Sequence, residues 1–258
     1  MTRSDSDWVI EMFAAGRRDW TPAPARQAAH VLYAPLSRDP EAIGRCASIL
    51  SETELSKADR FLMNDGKANF IQRRAFRRYC GAIALQAPRA LSEIVFEETG
   101  KGRPYLADRP DLTFSFSSCR FGFLGAWSST HRIGVDLEDK TRNLEAVELA
   151  QRYFSQAEAR AVEGVGGQSR ARNFFQLWSL KEAALKSIGE GLPFGLESFG
   201  FELAPTLRVV HAPREHGGPA RFDAHVIDEA DSCAAIVLRD GKSLLPASNA
   251  SRHISTTY

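Results

Sequence analysis

Arg132-Ile-Gly-Val-Asp-Leu-Glu138 alternates polar or small residues with aliphatic ones over seven positions, the period of a β-strand whose two faces meet different surroundings. Ile133, Val135 and Leu137 point one way, and Gly134, Asp136 and Glu138 the other. Carboxylates at i and i+2 stand roughly 7 Å apart by strand rise. They can converge on one hard cation, or face solvent from the outer side of an antiparallel sheet.

Outward from this strand the texture is mixed. Upstream, Leu112 to Ser117 alternates, Phe121 to Trp127 is aromatic and glycine-containing, and Ser128-Ser-Thr-His131 reads as a hairpin turn. Further back, an Ala- and Pro-rich leader from Thr21 runs into a strand at His30 to Ala34. A short helix spans Asp39 to Leu50. Ser51 and Glu54 then form a capping box for a longer helical stretch, broken near Gly66, that ends about Leu85. Downstream, helices are predicted over Asn143 to Glu163 and Ala171 to Ile188, then strands over Ser198–Leu203, Leu207–His211, Arg221–Ile227 and Cys233–Leu238. Each half reads as strand, helices, strands, an α+β plan with two similarly built halves. The expected division is 1–29 as leader, 30–128 and 129–245 as the halves, the second holding the acidic strand, and 246–258 as a frayed tail.

Composition narrows the function classes. The chain has 258 residues, 33 Lys plus Arg against 32 Asp plus Glu, a net charge of +1 and 43% hydrophobic residues. This is globular composition, and it excludes a polyelectrolyte binder of nucleic acid or anionic membrane. Cys46, Cys80, Cys119 and Cys233 are scattered without a C-x-x-C pair, so buried reduced thiols are expected rather than a zinc or redox site. Residues Met1 to Trp20 lack the order of a signal peptide, and no run approaches the ~18 apolar residues of a membrane span. A soluble, cytoplasmic monomer is expected.

Several further residues could carry chemistry. In Phe174 to Ile188, Glu182 and Lys186 share a helix strip at i and i+4, either a surface ion pair or a carboxylate beside a phosphate-binding ammonium. Glu158 closes an S-x-x-E capping box at Ser155, or carries chemistry of its own. Arg73, Arg74, Arg77 and Arg78, with Lys57, Arg60 and Lys67 before them, form a solvated basic face, or a site for phosphate or an acidic partner. Gly100-Lys-Gly-Arg-Pro104 is a turn that can aim Arg103 at an anion.

The order and spacing of these motifs resemble the 4′-phosphopantetheinyl transferases of the larger, surfactin-synthetase-activating type. That family is marked by a G-I/V-D-x-E strand and, some forty residues later, a W-x-x-K-E-A/S-x-x-K helix. Here these are Gly134-Val-Asp-Leu-Glu138 and Trp178-Ser-Leu-Lys-Glu-Ala-Ala-Leu-Lys186. Gly102-Arg-Pro104, Phe114-Ser-Phe-Ser-Ser-Cys119 and Arg152-Tyr-Phe-Ser-Gln-Ala-Glu158 are similar to its lesser motifs, and the likeness runs from about Val31 to Leu238.

The resemblance implies a fold of two α/β halves in pseudo-twofold arrangement. It also implies magnesium-dependent transfer of 4′-phosphopantetheine from coenzyme A to a serine of an acyl- or peptidyl-carrier protein of secondary metabolism. By the same likeness Asp136, Glu138 and Glu182 hold magnesium, Glu158 or its rival Glu182 is the base, and Lys186 and Lys181 meet phosphate. Lys57, Arg74, Arg103, Ser117 and Ser118 complete the coenzyme A contacts. Ser118 stands where the family has histidine, which leaves a second reading: a relative that binds coenzyme A or carrier protein without transfer. The sequence has no Walker A loop and no G-x-G-x-x-G after a strand, so another nucleotide enzyme is without support.

Overall fold

The computed structural model describes residues 4–22, 25, 28–86 and 89–241. The tail 246–258 lies outside the described residues. Helix α1 (Asp5–Gly16) and strand β1 (Arg18–Asp19) precede β2 (His30–Pro35), α2 (Pro40–Ser48), α3 (Glu52–Ala58), α4 (Asn64–Leu85), β3 (Glu97–Glu98), β4 (Pro104–Tyr105), β5 (Thr113–Cys119) and β6 (Gly122–Ser128). The chain then repeats the plan with β7 (His131–Asp139), α5 (Ala146–Tyr153), α6 (Gln156–Glu163), α7 (Gly167–Ile188), β8 (Gly200–Glu202), β9 (Arg208–His211), β10 (Phe222–Asp228) and β11 (Ser232–Asp240).

The two stretches share one connectivity. Each opens with a strand, passes through a 22-residue helix, α4 or α7, and returns with two antiparallel strands of which the last takes the centre. The sheet orders are β1-β2-β6-β5 and β10-β11-β7. The α+β plan with two similar halves is therefore present.

Three apolar layers hold it together. Phe13, Phe70, Phe76, Tyr79 and Phe123 fill the space between α1, α4 and the first sheet. Val31, Tyr33, Leu124, Ile133, Val135, Leu137 and Ile236 lie between the sheets, and Phe154, Phe174, Leu177, Phe199 and Val237 lie under α7. Since both sheets are covered on both sides, central strands such as Cys233-Ala-Ala-Ile-Val-Leu238 are apolar throughout.

Two expectations change. Residues 1–29, read as a leader, contribute α1, whose Val9 and Phe13 enter the first core. Residues 128–131 do not join a hairpin: β6 already pairs with β2 on one edge and β5 on the other, so β7 has no free edge there and enters the second sheet beside β11. Ser128 Oγ accepts from the backbone N–H of Thr130 and His131 and fixes this crossing.

Candidate active site

Gly134 sets the geometry. A Cβ at this position would lie 1.9 Å from the Ala183 carbonyl oxygen and 2.4 Å from the Ser187 nitrogen, so only a bare strand lets the α7 backbone descend onto β7. That approach brings Glu182 and Lys186 of α7 against Asp136 and Glu138, which share the face of Gly134.

Asp136 is 2% exposed. Its Oδ1 accepts from Lys186 Nζ at 2.7 Å and from Ser117 Oγ at 3.0 Å on β5. Lys186 Nζ lies 3.7 Å from Glu182 Oε2, and Trp178 Nε1 donates to Glu182 Oε1 at 2.9 Å. Glu138 pairs with Arg142. Ser118 and Arg120 join these residues around a cavity of about 380 Å³. The solvated-strand alternative for Asp136 does not hold.

Burial, then the neighbouring Asp136 charge, pushes the Glu138 carboxyl up to about 7 and raises Glu182 as well. Burial would lower Lys186, but Asp136 and Glu182 outweigh it and hold the ammonium above its usual range. Among the described residues no three ligating side chains form a ready-made metal centre; the carboxylates turn to Lys186 and Arg142. Asp136 Oδ2 nevertheless is buried without a hydrogen-bond partner, and crowded carboxylates with an orphaned oxygen are a donor set that fits a hard cation.

A second cavity, of about 280 Å³, shares Glu182 and Lys186 with the first and adds Arg77, Lys101, Arg103 and Phe116. The turn before β4 holds Arg103: its N–H donates to Thr99 Oγ1 at 3.1 Å, and its Nη2 donates to the Ile133 carbonyl at 3.0 Å. Nη1 is buried and has no partner among the described residues. Burial, with the Arg132 and Arg239 charges nearby, pulls this guanidinium down to about 9. Arginine keeps its proton even so, and a bound anion would relieve the cost. Arg77 is pulled to about 10 by burial and by Arg74 and Arg73; its Nη1 donates to Glu98 at 3.1 Å.

Several expected site residues lie elsewhere. Glu158 is 4% exposed and fully engaged: Oε2 accepts from Ser155 N at 2.9 Å and Oγ at 2.7 Å, and Oε1 accepts from Phe201 N at 2.9 Å. Lys181, 0% exposed, pairs with Glu158 at 2.9 Å and donates to the Leu196 carbonyl at 3.1 Å and to that of Phe199. This closed pair caps α6 and ties it to α7 and β8, so neither residue is free to touch a substrate. The helix repeat decides it, since Lys181 is one position from Glu182 and falls on a different side of α7. Arg74 pairs with Glu98 at 3.2 Å and lines neither cavity; Arg77, three residues on, takes the place expected of it. Lys57 is exposed on α3 and also lines neither. Trp178 and Arg142, which orient Glu182 and Glu138, were absent from the expected set; Trp178 stood in the helix motif, whereas no spacing rule marks Arg142.

A buried carboxylate cluster beside an arginine-lined cavity suits an enzyme that transfers a group from a phosphate ester. Residues 132–237 match the family model described as the 4′-phosphopantetheinyl transferase superfamily. The 4′-phosphopantetheinyl transferase HetI of Nostoc sp. is 29% identical over 196 residues, 72% of this chain and 81% of that protein. The 4′-phosphopantetheinyl transferase Sfp of Bacillus subtilis is 31% identical over 138 residues, 53% of this chain and 60% of its own length. The L-aminoadipate-semialdehyde dehydrogenase-phosphopantetheinyl transferase of Xenopus laevis is 29% identical over 172 residues, 62% of this chain and 56% of that protein. The match thus spans most of the first relative and little more than half of the other two. A holo-acyl-carrier-protein synthase from Neisseria meningitidis aligns with 42% of this chain and 97% of its own, at 20% identity and a TM-score of 0.35. Over residues 132–237 the chain thus resembles the 4′-phosphopantetheinyl transferase superfamily, and the relatives it matches are named as transferases.

Proposed function

We propose that the protein transfers 4′-phosphopantetheine from coenzyme A to a serine hydroxyl of an apo acyl- or peptidyl-carrier protein, with magnesium, releasing adenosine 3′,5′-bisphosphate. The observation that carries this reading is the convergence of Asp136, Glu138, Glu182 and Lys186 on one cavity, next to a second cavity lined by Arg77 and by Arg103, whose Nη1 has no partner among the described residues. The serine oxygen attacks the phosphorus that bears the pantetheine arm. The bond to the bridging diphosphate oxygen breaks, and that oxygen leaves with the nucleotide.

Asp136, Glu138 and Glu182 would hold the magnesium, which when bound offsets charge developing on the diphosphate. Lys186, fixed by Asp136, neutralises a diphosphate oxygen. Arg103 and Arg77 grip the nucleotide phosphates with charge-assisted hydrogen bonds. With Glu158 closed off, Glu182, one of the carboxylates that line the cavity, would receive the serine proton. Ser118 lines the acidic cavity, not the arginine cavity; the cation that the family histidine would supply comes from Arg103.

The test is mass spectrometry of an apo carrier protein incubated with the enzyme, coenzyme A and magnesium. The carrier gains the mass of one phosphopantetheinyl group. No gain across a panel of fatty-acid, polyketide and peptide carriers would leave the binding-only relative, the reading that Ser118 favours.

A further inference from the structure

Four carboxylates and three cations line the acidic cavity: Asp136, Glu138, Asp139 and Glu182 against Arg120, Arg142 and Lys186. A divalent cation entering there competes with charges the chain itself supplies. Those three internal cations are not held alike.

Lys186 is locked in place. Its Nζ donates to Asp136 Oδ1 at 2.7 Å and to Ser117 Oγ at 3.4 Å, and it lies 3.7 Å from Glu182 Oε2. Arg120 pairs with Asp139 at 2.9 Å. Arg142 pairs with Glu138, yet its side chain is 51% exposed where that of Glu138 is 13% exposed. A turn delivers it. At the end of β7, Asp139 Oδ1 accepts from Thr141 N at 2.8 Å and from Thr141 Oγ1 at 2.6 Å, an Asx turn that folds the chain back and aims Arg142 at Glu138. Arg142 Nε also donates to the Asp139 carbonyl at 3.3 Å, and the guanidinium carbon lies 5.7 Å from the centroid of the Phe175 ring. Neither of these contacts uses Glu138, so Arg142 keeps a resting place when that carboxylate turns to another partner.

We propose that Arg142 is the exchangeable counter-ion of the metal site: it holds Glu138 until a divalent cation takes that carboxylate, and so weakens the site for the cation alone. The inference rests on the magnesium reading given above and goes beyond it. Asp136 Oδ2, buried with no partner among the described residues, is an oxygen the cation can take without displacing anything. Glu138 is the one it must win. A guanidinium and a divalent ion on one carboxylate repel each other, and the walls of a cavity screen them less than water does. Lys186 stays, because its departure would strip Asp136 of its buried partner. A site that holds the cation weakly by itself takes it together with a donor whose phosphate oxygens add ligands.

The test titrates manganese, an ion with the same preference for oxygen ligands, into the protein without coenzyme A and reads the free ion by electron paramagnetic resonance. Arg142→Gln, a change at a half-exposed position, should bind manganese on the order of tenfold more tightly than wild type, the least that a neighbouring opposite charge takes from a carboxylate's proton affinity. Arg142→Lys restores the charge and should bind as wild type does. At a fixed magnesium concentration, the melting temperature of Arg142→Gln should rise further above its metal-free value than that of wild type. Equal or weaker manganese binding by Arg142→Gln overturns the inference and leaves the transfer reaction to the carrier assay. Tightening in Arg142→Lys as well also overturns it, since the effect would then come from the turn rather than from charge. No manganese binding by any of the three proteins removes the metal site on which the inference rests, whatever the carrier assay shows.

Discussion

The two halves share a topology but differ in how closely their long helices meet the sheets. In the second half, α7 rests backbone on backbone at Gly134, where an added Cβ would meet the Ala183 carbonyl at 1.9 Å. In the first half the close spot is Gly125, where a Cβ would meet side chains instead: Cys80 Sγ at 2.8 Å and the rings of Phe116 and Phe76 at 3.0 Å. Backbone cannot turn aside, and side chains can. The tight contact fixes short acidic groups and one lysine at hydrogen-bond distance, as a reacting centre requires. The looser half supplies arginines, whose long reach makes up for its distance from the strand face.

The largest expected effect breaks the tight contact. Gly134→Ala should destabilise by more than the about 1–3 kcal/mol usual for overpacking and abolish transfer, because α7 must lift from β7. Gly125→Ala should stay within that range and keep transfer per folded molecule. Denaturant unfolding with the carrier mass assay separates the two. Next, Asp136→Asn keeps an acceptor for Ser117 but removes the charge opposite Lys186; transfer should fall at least about 10²-fold, the scale of losing one charge-stabilising group, with the melting temperature little changed.

Lys181→Met sharpens the contrast between two lysines on one helix. It leaves Glu158 buried and unpaired, so stability should drop by about 3–5 kcal/mol, while the coenzyme A KM of the folded fraction stays as in wild type. A change in that KM would return Lys181 to the substrate. The smallest effect tests the arginines. Arg77→Ala should raise the coenzyme A KM by about tenfold, the worth of one charge-assisted hydrogen bond, and Arg74→Ala should leave it near wild type. The reverse order would move the donor toward Glu98.

Much of the fold was legible because both long helices carry helical spacing, strands β5 and β7 alternate, and the central β11 is a short apolar run. The turn at Ser128 was misread because strand order is not a local property: whether β6 can pair with β7 depends on β2 and β5 having taken both of its edges. The acidic cavity was legible in part. Alternation put Asp136 and Glu138 on one strand face, and the i, i+4 rule put Glu182 and Lys186 on one helix strip. Glu158 was ambiguous because a capping box and a catalytic carboxylate share the same S-x-x-E spelling. Lys181 and Lys186 look alike in the chain, but five residues is not a whole number of helical turns, so they leave α7 in different directions.

By itself the sequence determined the types of the long helices and main strands, the face each candidate side chain would take on its own strand or helix, and the family resemblance, since these follow from spacing along the backbone. Only the tertiary structure decided which faces meet. It closed Glu158 on Lys181, brought Asp136 to Lys186, set Arg77 rather than Arg74 in the cavity wall and left Lys57 exposed on α3. Helix placement on the sheet decides such matters, and that placement turns on a contact between Gly134 and Ala183, residues far apart in sequence, which no local pattern encodes.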